Sequence, residues 1–214
     1  MNYNPDLNIF MMCDKVNPAA YQSMPAGFHI RSIRQDELEF WKHMHIDTDD
    51  SIVKNAFGAY MSEYFERVYA PKGDLFYKSC LMVVNDDDEP VATCFAWKAY
   101  GRYTTIHWYK TIKEYEGKGI GRALLSAVMQ SIAPDDYPVY LHTQSGSFRA
   151  IHLYTDFGFR ILKDAAFGNR NNEIEEALPI LKELMPEALY NQLLFGYARR
   201  DFLDAASQYK ASEF

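Results

Sequence analysis

Glu116-Gly117-Lys118-Gly119-Ile120-Gly121-Arg122, followed by Ala-Leu-Leu-Ser-Ala-Val-Met at 123–129, is the stretch that decides how this chain is read. Residues 103–112 read as a strand running into it, and a helix runs out of it. Glycines at alternate positions leave backbone without Cβ atoms, so a bulky anion can approach closely. The helix that follows points its unpaired N–H groups and positive dipole end at that anion. The residues therefore specify a site for a phosphate-bearing ligand; read without function, they form an ordinary strand-to-helix turn.

The spacing narrows the ligand. A P-loop requires two glycines separated by four residues and then Lys with Ser or Thr. Here Gly121 is followed by Arg122 and Ala123. A dinucleotide fingerprint, Gly-x-Gly-x-x-Gly, would place its third glycine at position 122, which is Arg. What remains is Glu116-x-x-Gly119-x-Gly121. A second informative segment is Ser147-Phe148-Arg149-Ala150-Ile151-His152-Leu153-Tyr154-Thr155-Asp156-Phe157-Gly158-Phe159. The first resembles the Gln/Arg-x-x-Gly-x-Gly/Ala signature of the GNAT superfamily of acetyl-CoA-dependent N-acetyltransferases. The second resembles that superfamily's Asn-x-x-Ala-Ile-x-Leu-Tyr-x-x-x-Gly-Phe segment, with Ser147 in place of Asn. The two occur in the family's order, and the resemblance runs from about residue 28 to residue 163.

Lys plus Arg number 22 and Asp plus Glu 29, so the net charge is −7. An acidic chain is a poor non-specific binder of nucleic acid. CoA binding is not excluded by this, because exposed charges beyond about 8–10 Å are screened at physiological salt. Lys118, Arg122 and the helix terminus decide that contact locally. Cys13, Cys80 and Cys94 are odd in number and lack C-x-x-C spacing. They read as reduced thiols of a cytoplasmic protein. No apolar run reaches the ~18 residues of a membrane span, and the N-terminus lacks a signal-like pattern.

Taken in order, residues 1–27 read as an N-terminal extension with one apolar patch, Ile9 to Cys13, either a leading strand or an arm packed on the core. Residues 28–33 read as a strand, 35–45 and 51–69 as helices, and 76–84, 91–99 and 103–112 as strands. The acidic turn 85–90 reads as a solvated hairpin tip, since no following Gly and Glu complete a calcium loop. His43 and His45, two apart on a helix, face different ways and make a poor metal pair. Leu124, Leu125, Val128, Met129 and Ile132 mark one helix face, residues 139–143 a strand, and Gly158 a helix end. Residues 28–165 form the acetyltransferase core on this reading. Residues 166–214 form a helical extension with breaks near Pro179 and Pro186, either a closing helix or a dimer contact.

The resemblance implies an α/β (α+β) fold with a mixed, mostly antiparallel central sheet flanked by helices. It also implies acetyl-CoA as co-substrate, with no metal. In the family the fourth and fifth core strands splay apart, and the pantetheine arm pairs with the end of the fourth, here Thr111 and Ile112. The pyrophosphate sits on residues Gly117, Lys118, Gly119, Ile120, Gly121 and Arg122, with Glu116 and Ser147 at the remaining motif positions. Glu116 departs from the family pattern, because a carboxylate beside a diphosphate is repulsive. The reaction is direct attack of a primary amine, on a small molecule or a peptide, upon the thioester. Tyr154 matches the tyrosine that protonates the departing thiolate. His107 is the candidate base, on the same strand face as Tyr109 and Thr111 by alternation and with an ordinary pKa of about 6.5, bulk water reaching an open cleft being the alternative. A non-catalytic acyl-CoA-binding module is the alternative reading. Nothing in the sequence names the acceptor.

Overall fold

The computed structural model describes residues 4–209 and 213. The outermost residues of both expected extensions, 1–3, 210–212 and 214, lie outside the described residues. In chain order the strands and helices are β1 (Asn8–Cys13), β2 (Phe28–Ser32), α1 (Leu38–His43), α2 (Ser51–Val68), α3 (Leu75–Ser79), β3 (Leu81–Asn85), β4 (Pro90–Ala99) and β5 (Tyr103–Thr111). There follow α4 (Ile120–Ser131), β6 (Val139–Gln144), α5 (Phe148–Asp156), β7 (Arg160–Leu162), β8 (Ala166–Phe167), β9 (Arg170–Asn171), α6 (Ile174–Leu184), α7 (Glu187–Tyr190), β10 (Phe195–Gly196) and α8 (Arg200–Gln208). The strand order is β10-β7-β1-β6-β5-β4-β3-β2. β10 pairs with β7 and β5 with β6 in parallel. This is the mixed, mostly antiparallel sheet flanked by helices that the sequence implied.

The chain divides into two compact units. One comprises residues 22–96 and 107–131. Within it β2, β3 and β4 pair antiparallel, from Phe28↔Asn85 to Ser32↔Leu81 and from Leu81↔Cys94 to Val84↔Pro90. The Asn85 side chain closes the hairpin tip by accepting from the Asp87 and Glu89 amides at 3.1 and 2.9 Å. Helix α2 starts where Asp50 accepts from the Ile52 amide at 2.8 Å, an N-cap that satisfies one orphan donor. Its buried face is Met61, Tyr64, Phe65 and Val68. Val53 and Tyr60, on the same helix, are exposed. Residues 75–79 are helical, so the strand expected from 76 begins only at Leu81. Phe76 from that helix joins Trp41, Tyr69 and Phe95 in a fully buried aromatic core. Helix α4 buries Leu124, Leu125, Val128 and Met129, the face its spacing predicted.

The other unit comprises residues up to 21, 97–106 and those from 132 onward. Its organising strand is β1. Five of its six residues are buried, as an all-apolar run between two neighbouring strands requires. It pairs antiparallel with β6 along its whole length, Asn8↔Gln144 to Cys13↔Val139, and with β7 at Met11↔Ile161. The apolar patch of the supposed extension is thus an interior strand rather than an arm. Thr105↔Tyr140 and Ile106↔Leu141 register β5 against β6. The C-terminal segment breaks before α7 at Pro186, while Pro179 lies inside α6 without ending it. Phe202 of α8 stacks on Tyr140 of β6 at 3.7 Å between centroids, which closes this unit's core.

Candidate functional site

The glycine turn adopts the conformations its composition allows. Gly117 and Gly119 have φ of +76° and +82°, the left-handed region that penalises a Cβ. A short 3-10 turn over Lys113–Tyr115 precedes them, and the Glu116 amide donates to Lys113 O at 3.2 Å. The first backbone bond of the following helix runs from Ala123 N to Gly119 O at 3.1 Å. Helical geometry in general leaves the first amides of a helix without an intrahelical acceptor, and this helix starts at the turn. Ile120 is 1% exposed, so its side chain belongs to the core and it reaches a ligand only through its backbone. Lys118 lies over the Tyr115 ring at 4.4 Å, and Arg122 is half-buried on the first helical turn.

The three glycines are not equivalent. A Cβ at Gly117 would meet nothing within 4 Å. At Gly119 it would stand 2.4 Å from the Gln22 amide nitrogen, and at Gly121 2.1 Å from the Tyr109 hydroxyl. Only Gly117 opens to free space; the room left at Gly119 and Gly121 is filled by the chain's own side chains.

From the strand side, Thr111 and Tyr109 both face Gly121, with Thr111 Oγ1 3.1 Å from the site of its absent Cβ. The Thr111 hydroxyl is buried and has no hydrogen-bond partner among the described residues. Ile112 N–H donates to Val91 O at 2.9 Å and Ile112 O accepts from Tyr115 N at 2.9 Å. Its backbone amide and carbonyl are thus each bonded within the chain. Burial pushes the Tyr109 hydroxyl pKa up, with Glu116 adding to the rise and Arg122 opposing it. That hydroxyl stays protonated at neutral pH.

His107 does not share a face with Tyr109 and Thr111. Trp108 has φ of +51°, which breaks the strand's alternation. As a result the adjacent residues His107 and Trp108 reach the same group. Tyr69 Oη lies 2.5 Å from His107 Nδ1, and Trp108 Nε1 donates to it at 2.8 Å. His107 is 5% exposed and packs beside Phe95, with ring centroids 5.7 Å apart. His45 lies between Trp41 and Trp108, 5.2 and 5.0 Å from their ring centres. Its ring is held neutral by burial, with Lys110 adding to the effect, and its pKa falls to about 3.

Tyr154 and Ser147 belong to the other compact unit. Ser147 ends a 3-10 turn at Ser145–Ser147 and is the N-cap residue of α5, without a side-chain capping bond. Tyr154 is buried on α5, its ring 5.8 Å from that of Phe159. After α5, Gly158 turns with φ of +94°, as its helix-end assignment required.

Two neighbours of the turn escaped sequence reasoning as site residues. Tyr109 carried a usable signal, since it alternates with Thr111. Gln22 carried none, because its contact is made only in three dimensions. Among the described residues no group of three or more His, Cys, Asp or Glu side chains is placed to hold a metal ion, and no helix is long and apolar enough to cross a membrane.

The sequence model of the acetyltransferase (GNAT) family matches residues 38–159. The chain belongs to that family. No curated protein matches it. This GNAT chain resembles the crystal structure of a GCN5-related N-acetyltransferase from Sphaerobacter thermophilus, with 21% identity over 75% of this chain and 50% of that one, at a TM-score of 0.50. It also resembles a GNAT-family acetyltransferase from Colwellia psychrerythraea, with 13% identity over 74% of this chain and 54% of that one, at 0.50. A tandem GNAT protein from the clavulanic acid biosynthesis pathway gives 0.54, with 11% identity over 73% and 50%. The chain therefore spans about half the length of these structures, and at such identities the likeness is one of fold.

Proposed function

We propose that this GNAT chain transfers an acetyl group from acetyl-CoA to a primary amine by direct attack in a ternary complex. The observation that carries this is the turn of Gly117 and Gly119, left-handed at both glycines and leading directly into the helix that begins at Ile120. Such a turn offers a diphosphate several backbone donors and a positive helix end without a charged side chain. The Thr111 hydroxyl, buried and unpartnered beside Gly121, is a further donor for the bound cofactor arm. Glu116, Lys118 and Arg122 flank the turn, and Ser147 stands at the family's Asn position.

A primary amine is protonated near pH 7, its pKa being about 10.4, so it must lose a proton before attack. His107 serves as base with Tyr69 holding its Nδ1, and Tyr154 returns a proton to the CoA thiolate. The second reading, a non-catalytic acyl-CoA-binding module, draws on one observation: His107 and Tyr154 are each 5% exposed. Thiol release from acetyl-CoA across a panel of amines decides between them. Amine-dependent release supports the enzyme; binding of acetyl-CoA with no release by any amine supports the module.

A further inference from the structure

Gln22 lies outside the segment 38–159 that matches the family, yet its carboxamide rests on the glycine turn. Its backbone is fixed from below. The Gln22 amide donates to Ser126 Oγ at 3.0 Å, and that hydroxyl, on a residue 2% exposed, donates to Arg122 O at 2.7 Å. Its side chain then reaches Gly119, where Nε2 lies 3.4 Å from the carbonyl oxygen. A carbonyl only accepts, so the atom facing it is the amide nitrogen.

That nitrogen carries two hydrogens. Gly119 O takes one, at the long end of hydrogen-bond distance and in competition with the Ala123 amide. No described residue takes the other. The residue itself is exposed, so this side chain is accessible to a ligand approaching from solvent. The turn also begins with Glu116, a carboxylate at its first position. A neutral amide donor brought in from another segment places hydrogen-bonding capacity beside the diphosphate without adding charge.

We propose that Gln22 is a diphosphate-binding residue of this chain, its free amide N–H donating to the cofactor's phosphates while its other N–H steadies Gly119. This rests on the acetyl-CoA reading above. It makes the segment before β2 part of the cofactor site. Gln22 does not touch the reacting atoms, so its effect falls on cofactor binding and leaves the chemical step unchanged.

The test compares two donors in wild type, Gln22→Ala and Gln22→Glu: acetyl-CoA, and acetyl-pantetheine, which lacks the diphosphate and nucleotide. A hydrogen bond to a charged group corresponds to about a tenfold change. Gln22→Ala is expected to weaken acetyl-CoA binding in calorimetry about tenfold and to raise its KM equally, with kcat unchanged. Turnover of acetyl-pantetheine is expected to stay within twofold, and Gln22→Glu to bind acetyl-CoA more weakly still, the more so at low salt. Gln22→Ala binding acetyl-CoA within twofold of wild type overturns the assignment. So does an equal loss on both donors, since Gln22 would then only brace the turn. If wild type itself fails to bind acetyl-CoA, the acetyltransferase reading falls and takes this one with it, an outcome distinct from a defect confined to the variants.

Discussion

Tyr109 and Gly121 fit together as a pair: a Cβ on the glycine would stand 2.1 Å from the tyrosine hydroxyl and 3.1 Å from the ring carbon that bears it. Gly121 has an ordinary helical backbone, so its need for hydrogen in place of a methyl comes from Tyr109 and not from φ. Gly121→Ala is therefore expected to push the first turn of α4 off β5. Overpacking of this kind costs about 1–3 kcal/mol in stability, readable in urea unfolding. If the first turn cradles the diphosphate, acetyl-CoA affinity falls with it. Tyr109→Phe removes the hydroxyl and should restore part of both losses in the double variant. A double variant no better than Gly121→Ala would show that the two residues are not coupled.

Tyr69 holds its neighbours through one oxygen. It lies 2.5 Å from His107 Nδ1 and accepts from Trp108 Nε1 at 2.8 Å. Tyr69→Phe removes these bonds inside an apolar core, where each orphaned polar group costs about 1–3 kcal/mol. The same change tests the proposed base. If His107 removes the amine proton, Tyr69→Phe and His107→Ala should both lower the rate strongly near neutral pH and little on the alkaline side, where amine deprotonates unaided. A pH–rate profile that keeps its shape in His107→Ala clears this histidine of a role in proton removal.

The glycine turn and the helix after it were legible because their signals are local. Left-handed φ demands Gly at 117 and 119, and the apolar positions of α4 recur at helical spacing. Gly158 was placed at a helix end for the same reason. Other features depend on partners distant in sequence. The run Ile9 to Cys13 suits a strand or an arm equally until Val139–Gln144 pairs with it. Phe76 reads as a strand residue by composition, but its helix is held by aromatic packing on Trp41 and Tyr69. The face of His107 was misassigned because Trp108 takes a positive φ with no glycine to announce it. Gln22 was invisible because nothing in a polar, proline-bearing segment points at residue 119.

Glu116 caps the short turn before Gly117 and is exposed. A carboxylate there repels a diphosphate, while an amide of the same shape does not. Glu116→Gln is accordingly expected to tighten acetyl-CoA binding about two- to tenfold, with the larger gain at low ionic strength where screening is weak. Calorimetry at two salt concentrations measures this. Weaker binding by the variant would mean that the carboxylate faces away from the phosphates and supports the turn instead.

Tyr154 is buried on α5 against Phe159. Removing its hydroxyl alone keeps the ring packing, so Tyr154→Phe should melt within about 1 kcal/mol of wild type. If the hydroxyl protonates the thiolate, turnover drops about 100-fold or more while acetyl-CoA affinity holds. Equal turnover removes Tyr154 from the chemistry and leaves it a packing residue.

Two histidines make stability depend on pH in a direction that can be worked out. His45 and His142 are both held neutral down to about 3, first by burial, then by Lys110 at His45 and Arg170 at His142. At His142 the geometry agrees: a guanidinium only donates, so Arg170 at 3.1 Å makes Nδ1 the acceptor, and Nε2–H donates to Asn8 Oδ1 at 2.8 Å. Unfolded, each ring titrates near 6.5. Between about 6.5 and 3 the unfolded chain therefore binds protons that the folded chain refuses. The stabilisation is complete above the unfolded value and is lost as pH falls toward the folded one. Each histidine contributes a slope of about 1.4 kcal/mol per pH unit in that window. Urea unfolding of wild type and His45→Phe at several values from pH 7 to 4 separates this from the carboxylates, which contribute equally to both. The variant's stability should fall less steeply with acid by about that one-histidine slope, whatever its stability at pH 7. Parallel curves would mean that His45 takes up its proton in the folded protein as readily as in the unfolded one, and that its ring is not sealed between Trp41 and Trp108.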